Sequence, residues 1–474
     1  MFMKNLRHFY INGQWISPEK QQDFIVENPS TESQIGVISL GTNIDVDKAV
    51  IAARNAFNHY GFTSREERIA LLEKLLSAYM NRYDEMAKAI SQEMGSPIDF
   101  ARSTQADCGR GHIQTALDAL KTYEFEHTSA NATISHEPIG VCGFITPWNW
   151  PINQIVCKVA PALATGCTMI LKPSEIAPLS AHVFAKIIDD AGYPAGVFNL
   201  VNGDGMGVGS AISSHQDIDM VSFTGSTRAG SLIARAAADT VKRVTLELGG
   251  KSPNIIFDDV DLETAVTKGV VGCMENTGQS CNAPTRMLVQ ESVYDDAVKI
   301  ATRVANAIKV DRADKSGDHI GPLVSQVHFD KVQGMIKEAI ESGATLAAGG
   351  LGKPEGLDVG HFTKPTIFSN VCNKMNIAQE EVFGPVLVII PFKDEQEAIA
   401  IANDSPYGLA AHINTTDETK ASRVAKQLRA GMVRINWASH QYTSPFGGYK
   451  KSGNGREWGV YGFDDYLEIK ATSR

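Results

Sequence analysis

Apolar and polar residues change their spacing near residue 137 and divide the chain into two textures. Before that point Leu71, Leu72, Leu75, Leu76, Tyr79 and Met80 recur three and four apart, the spacing of a helix face turned to a core. After it, short apolar runs alternate with amphipathic stretches. "GVCGFI" (140–145), "TMILK" (168–172), "VFNLV" (197–201), "MVSFTG" (220–225) and "RVTLEL" (243–248) predict buried strands. The stretches 179–191, 205–214 and 228–238 predict helices between them. Repeated in this way, strand and helix predict a parallel sheet covered by helices. A second series runs from residue 254 to about 440 and contains "VLVIIPF" (386–392), a run of buried-strand length.

Within that series Leu262, Ala265, Val266, Gly269, Val270 and Cys273 fall on one helical stripe, so Cys273 packs. The pattern stops at "NTGQS", where Gly278 is a natural terminator. Cys281 follows, off the stripe, in the polar segment "ENTGQSCNAPTR" (275–286). A lone cysteine is more often core filling than a reagent. The other six lie among apolar or helical neighbours and read as such filling.

At 474 residues the chain has room for two or three domains. Hydrophobic residues at 43% and charged residues at 21% are ordinary for a soluble protein. A net charge of -10 argues against nucleic acid or an anionic membrane as partner. "MFMKNLRHFYINGQW" lacks the apolar core of a secretory signal, and no apolar run approaches the ~20 residues of a membrane span. Seven cysteines without a paired framework fit a reducing compartment, and the expectation is cytoplasmic.

Unusual residues collect where strands end: "FITPWNWP" (144–151), "LKPSE" (171–175), "NGDGMGVG" (202–209), "SFTGST" (222–227) and "LELGGKSPN" (246–254). "EEVFGPV" (380–386) and "PFGGYKKSGNGRE" (445–457) complete the set. In open α/β sheets ligands bind at the carboxyl ends of strands, which points to one shared cleft. Singly the signals are weak: Lys172 could be a surface charge, Asn149 a turn residue, Glu247 a strand-end carboxylate. The glycine-rich turn fails the dinucleotide fingerprint, because Val208 stands where a third glycine is required. "GGKS" fails as a phosphate loop, because residue 245 is Thr. The absence of G-x-S-x-G, C-x-x-C and H-x-x-x-H leaves a serine hydrolase elbow and a metal site without support.

Together, the segments resemble the aldehyde dehydrogenase superfamily, from "YINGQW" to "DYLEIKA". "LELGGKSP" is similar to its glutamate motif and "NTGQSCNAPTR" to its cysteine motif. The resemblance implies an aldehyde-dehydrogenase-like α/β fold. Its parts would be a Rossmann-like cofactor domain (1–118 and 138–248), a second α/β catalytic domain (249–448), and oligomerisation or bridging segments (119–137, a protruding hairpin, and 449–474). It implies oxidation of an aldehyde to the free acid through a cysteine thiohemiacetal and thioester, with Cys281 as nucleophile and Asn149 and the Cys281 backbone N–H as oxyanion donors. Glu247 would activate water; family members that acylate coenzyme A generally lack this glutamate. Lys158 and Glu468 match positions that relay the proton onward.

For the cofactor the resemblance implies Ile145, Thr146, Pro147, Trp148, Lys172, Ser174, Glu175, Gly205, Gly209, Phe223, Gly225, Ser226, Leu248, Glu381 and Phe383. Lys172 and Glu175 would meet the adenosine ribose, where a carboxylate repels a 2'-phosphate and favours NAD, with NADP the alternative. Trp150, Cys157, Ser280, Asn282, Trp437 and Tyr442 would line the substrate tunnel; without an arginine among them, a semialdehyde acid is not favoured. The tail is short, with four residues after Lys470 where many relatives continue into an association strand, and the expectation is a homodimer or homotetramer. A thiol-dependent esterase and a binding protein without turnover remain open alternatives at this point.

Overall fold

The computed structural model describes residues 6–474. Its first sheet has eight strands, in the order Gly453–Asn454, Arg243–Glu247, Met220–Thr224, Val141–Ile145, Thr168–Lys172, Phe198–Leu200, Phe9–Ile11 and Gln14–Ile16. The five from Arg243–Glu247 to Phe198–Leu200 are parallel. The interior strands are buried along their whole length, as strands covered on both faces must be. From Val141–Ile145 the chain steps outward through two strands, then returns to lay Met220–Thr224 on the opposite flank. Residues 146–150 and 225–226 leave the strand ends at this reversal, where such sheets open a crevice.

The second sheet orders Thr345–Ala348, Thr366–Ser369, Val386–Phe392, Arg286–Gln290, Pro253–Ile256, Ala410–Asn414 and Met432–Ile435, parallel except at its first edge. Here the expected pattern reverses. Cys281 precedes Arg286–Gln290, and Glu381 and Phe383 precede Val386–Phe392, so these residues stand at amino ends. The shared cleft joins carboxyl ends of the first sheet to amino ends of the second.

Helix Arg65–Asn81 starts with a reciprocal capping box between Ser64 and Glu67. Its apolar stripe is narrower than its sequence spacing implies: Leu72, Leu75 and Tyr79 are buried, whereas Met80 is exposed. Helix Pro151–Thr165 begins on a proline, which loses no helical hydrogen bond there, and stops at left-handed Gly166. Every residue of this helix is buried, so it is a fixed support for whatever its first turn presents.

A third sheet pairs Glu126–Ser129 with Ala132–Pro138, and Ala132–Pro138 with Leu467–Ser473. The short tail therefore does continue into a strand, using nearly all the residues that it has. Gly453–Asn454 instead joins the first sheet, so residues 449–474 are shared between two sheets.

Candidate active site

Asn149 sits in the loop between strand Val141–Ile145 and helix Pro151–Thr165 and is buried. Its side-chain N–H donates to the Gln279 carbonyl at 2.9 Å, and its own carbonyl accepts from the Asn276 side chain at 2.8 Å. The two hydrogen bonds fasten this loop to the segment that carries Cys281. An amide has two N–H groups, and one remains for a ligand.

After helix Leu262–Met274 the chain turns through Asn276, Thr277 and Gly278, all left-handed, with φ of 54°, 57° and 70°. For the two non-glycine residues this costs about 1–2 kcal/mol each. Gln105 donates to the Asn276 side chain at 2.8 Å, and the Thr277 hydroxyl donates to the Gly321 carbonyl at 3.0 Å, which hold the strained turn. Gly278 permits nothing larger: a Cβ there would lie 2.1 Å from the Gly384 carbonyl oxygen. The turn leaves Cys281 half-buried between two cavities. Gln154 also reaches both.

The first, about 190 Å³, is lined by Asn149, Glu247 and Cys281 together with Pro147, Trp148, Gly225, Ser226, Leu248, Glu381 and Phe383. Ten sequence-derived site residues thus share one cavity. Thr224, Gly249, His328 and Lys331 also line it and had no distinctive sequence signal. His328 packs on Trp148 and its ring nitrogen lies 2.6 Å from the Phe383 carbonyl, so the aromatic wall is a cluster of three.

Both carboxyl oxygens of Glu247 are buried without a hydrogen-bond partner. Burial first, and the Glu457 charge second, hold its pKa well above the usual carboxylate range; Lys158 works the other way. Burial, then Glu381 and Glu247, raise the Cys281 thiol, so it is protonated in the free protein. Burial also pushes Glu381 up to about 7, against the Gly250 N–H that donates to it at 3.0 Å. A carboxylate of raised proton affinity, without partners and beside a thiol, is suited to accept a proton from that thiol or from water.

Lys158 is fully buried, and its ammonium pairs with Glu457. Burial is the largest influence and opposes the charge, but Glu457, Cys157 and Glu247 together outweigh it and keep Lys158 above its ordinary value. The expected carboxylate, Glu468, is elsewhere: it is mostly exposed and accepts from Arg243 at 2.8 Å. Strand alternation explains the difference, since Leu467 turns inward and Glu468 therefore turns out. Cys157 is also corrected, because it is buried behind the site with its thiol donating to Glu457 at 3.3 Å. Lys158→Met should cost about 3–5 kcal/mol by leaving the Glu457 charge buried alone. Thermal denaturation checks this: the single variant should melt well below wild type, and Lys158→Met with Glu457→Leu should recover much of the loss.

The second cavity, about 600 Å³, is lined by Trp150, Ser280, Asn282, Trp437 and Tyr442, as expected, and by Arg434, His412 and His440, which were not. An arginine does reach the tunnel. Trp150 donates its indole N–H to Ser280 at 2.8 Å. Among the cysteines Cys372 is exposed, not packed as its neighbours implied.

The remaining cofactor candidates follow the strand ends away from Cys281. Ile145, Thr146 and Phe223 are buried beneath the crevice. Lys172 donates to Glu175 at 3.2 Å, with Ser174 buried between them in sequence. Ser226 caps helix Thr227–Ala238, whose amino end faces the crevice. Gly205 and Gly209 bound a single wide, π-helical turn, and a Cβ at Gly205 would meet no protein atom within 4 Å. Open space there, a helix amino end, and a carboxylate beside an aromatic wall fit an extended dinucleotide.

The family model described as "Aldehyde dehydrogenase family" matches residues 15–472. A 3-succinoylsemialdehyde-pyridine dehydrogenase from Pseudomonas sp is 55% identical over 470 residues, covering 99% of this chain and 98% of the relative. Among solved structures, a mutant aldehyde dehydrogenase C of Pseudomonas syringae, complexed with NAD+ and octanal, is 48% identical. Its TM-score is 0.98, with 99% of this chain and 97% of that one covered. Betaine aldehyde dehydrogenase of Staphylococcus aureus, in complex with NAD+, is 36% identical with a TM-score of 0.95, covering 98% and 94%.

Proposed function

The chain belongs to the aldehyde dehydrogenase family and oxidises an aldehyde with a nicotinamide cofactor, and we propose that Cys281, Glu247 and Asn149 carry out that reaction. The carrying observation is that these three residues, distant in sequence, line one cavity. The Cys281 sulfur attacks the aldehyde carbon as Glu247 takes the thiol proton. The second N–H of Asn149 and the Cys281 backbone N–H meet the oxygen that becomes negative. Bound against Trp148, Glu381 and Phe383, the cofactor supplies the hydride acceptor. Once it has passed that first proton on, Glu247 removes a proton from the water that cleaves the thioester, and the free acid leaves. Lys158 and Glu457, behind Glu247, carry the proton onward.

Glu175 beside Lys172 supports NAD over NADP, because a 2'-phosphate would meet a carboxylate. We take residues 1–118 and 138–248 as the cofactor domain and 249–448 as the catalytic domain. Strand Glu126–Ser129 is exposed at every residue, which supports assembly through the third sheet into a homodimer or homotetramer. No helix among the described residues is long and apolar enough to cross a membrane, and seven free cysteines support a reducing, cytoplasmic setting. Relatives named for a pyridyl semialdehyde and for betaine aldehyde differ in substrate, so the aldehyde is sought in this chain's own cavity.

The test is absorbance of reduced nicotinamide with a panel of aldehydes and NAD+ or NADP+. Aldehyde-dependent reduction supports the reading, whereas ester cleavage alone, or silence across the panel, contradicts it. Glu381 adds a pH dependence. Protonated below about 7, it loses the charge that would accept the ribose hydroxyl hydrogen bonds. The KM for NAD+ should therefore rise as pH falls through about 7, by up to about tenfold per unit below it. Glu381→Gln should flatten that profile; an unchanged profile would remove Glu381 from the cofactor site.

A further inference from the structure

Residues 381–383 carry two side chains of the smaller cavity, Glu381 and Phe383, on a main chain that its own backbone neighbours do not hold. Among the described residues, no backbone-to-backbone hydrogen bond reaches Glu381, Val382 or Phe383. Phe383 is also left-handed, with φ of 62°, a conformation that a non-glycine residue keeps only where its surroundings fix it. Two side chains supply the hold. Lys331 donates to the Glu381 carbonyl at 3.0 Å, and Nε2 of His328 lies 2.6 Å from the Phe383 carbonyl oxygen. A carbonyl oxygen can only accept, so Nε2 carries the hydrogen and donates it. Burial pushes His328 down to about 4, so near pH 7 the ring is neutral and this N–H is the one it has.

Both residues stand in the first two turns of helix Gln326–Glu341, which Ser325 caps by accepting the His328 backbone N–H. The lead-in to this helix is fastened to the turn that carries Cys281. The Val324 N–H donates to the Gln279 side chain at 3.0 Å, and the Gly321 carbonyl accepts from the Thr277 hydroxyl at 3.0 Å. Gly384 packs between the same two elements. A Cβ added to it would lie 2.9 Å from Val332 of the helix, and its carbonyl oxygen lies 2.1 Å from where a Cβ on Gly278 would stand. The segment 381–384 is therefore wedged between one helix and the turn of the nucleophile, and the helix is tied to that turn.

We propose that His328 is a positioning residue for the oxidation: its N–H holds the Phe383 main chain, and with it the wall that the nicotinamide end of the cofactor meets, in register with Cys281. The proposal rests on the reading of this cavity as the cofactor and nucleophile site of an aldehyde dehydrogenase.

The test removes the donor and keeps a ring. His328→Phe retains an aromatic face for Trp148, whose ring centroid lies 5.2 Å from that of His328, but it cannot donate to the carbonyl. The KM for NAD+ should rise about three- to tenfold, the worth of one hydrogen bond, and the calorimetric Kd for NAD+ should rise with it. A merely structural role would instead lower kcat and the binding stoichiometry, because neither constant depends on the folded fraction. His328→Gln, which offers an amide N–H, should recover most of the affinity. In Phe383→Ala, where the ring that His328 positions is gone, adding His328→Phe should have a smaller effect. Wild-type KM and Kd in His328→Phe overturn the proposal and leave the dehydrogenase reading standing. So does a His328→Gln no better than His328→Phe, and so does an undiminished effect in Phe383→Ala, which would mean that His328 acts on the cofactor directly. A wild-type protein that neither binds NAD+ or NADP+ nor reduces them with any aldehyde overturns both.

Discussion

Cys281→Ala is expected to lower aldehyde-dependent reduction of NAD+ by about four orders of magnitude or more, because no other group can take over the covalent step. The effect should be confined to chemistry. Cys281 is half-buried and lines two cavities, so removing one sulfur leaves no sealed void and little loss of stability. The other thiols cannot substitute. Five are buried, and none of the six lines the cavity that holds Glu247 and Asn149. Cys372 is exposed, and Cys372→Ala therefore serves as the control that should keep full turnover. Turnover of Cys281→Ala within tenfold of wild type would remove the nucleophile from the account.

Glu247→Gln gives the second large effect, and its form matters more than its size. The amide preserves shape but cannot take a proton, so clearance of the thioester should slow by about 100- to 10,000-fold. Hydride transfer should suffer less, since the sulfur can lose its proton to solvent as pH is raised. Rapid-mixing absorbance should then record a burst of about one reduced nicotinamide per site, followed by a slow steady rate. The burst should speed up at high pH, because burial and three carboxylates hold the Cys281 thiol up and Glu247→Gln removes only one of them. A uniform slowing without a burst would assign Glu247 to the first step alone.

The sequence made some of this legible for identifiable reasons. Strand Val386–Phe392 is a continuous apolar run, and Thr168–Lys172 has an apolar centre between polar ends; both have the boundaries their pattern implies, because the middle of a strand covered on both faces favours apolar side chains. Cys281 stood out because it falls off the helical stripe that buries Cys273. Glu457 was harder to find. It closes the glycine-rich segment 445–457, yet nothing local marks it as the partner of a lysine some 299 positions earlier. Glu468 was the carboxylate expected there, and strand alternation turns it outward. Arg434 and His412 were hidden for the same reason: they are strand residues whose facing depends on how the second sheet meets the first. Long-range pairing of this kind belongs to tertiary structure and leaves no periodic trace.

The cleft likewise joins two sheets by opposite strand ends, and that rule is not written in any one segment. Glu247 at a carboxyl end and Cys281 ahead of an amino end meet only because the chain crosses between sheets at Leu248–Ser252. Gly250 makes the crossing close: a Cβ there would lie 2.5 Å from the Cys281 carbonyl oxygen. Larger residues at 250 would push the two halves of the site apart.

The most direct measurement acid-quenches Glu247→Gln during its burst with aldehyde and NAD+ and maps the mass of its peptides. An acyl group on the peptide that contains Cys281, in an amount matching the burst and missing from the Glu247→Gln, Cys281→Ala double variant, is the predicted result. A full burst with no acyl-peptide, or with the acyl group on another residue, would contradict a thioester on Cys281 cleared by Glu247.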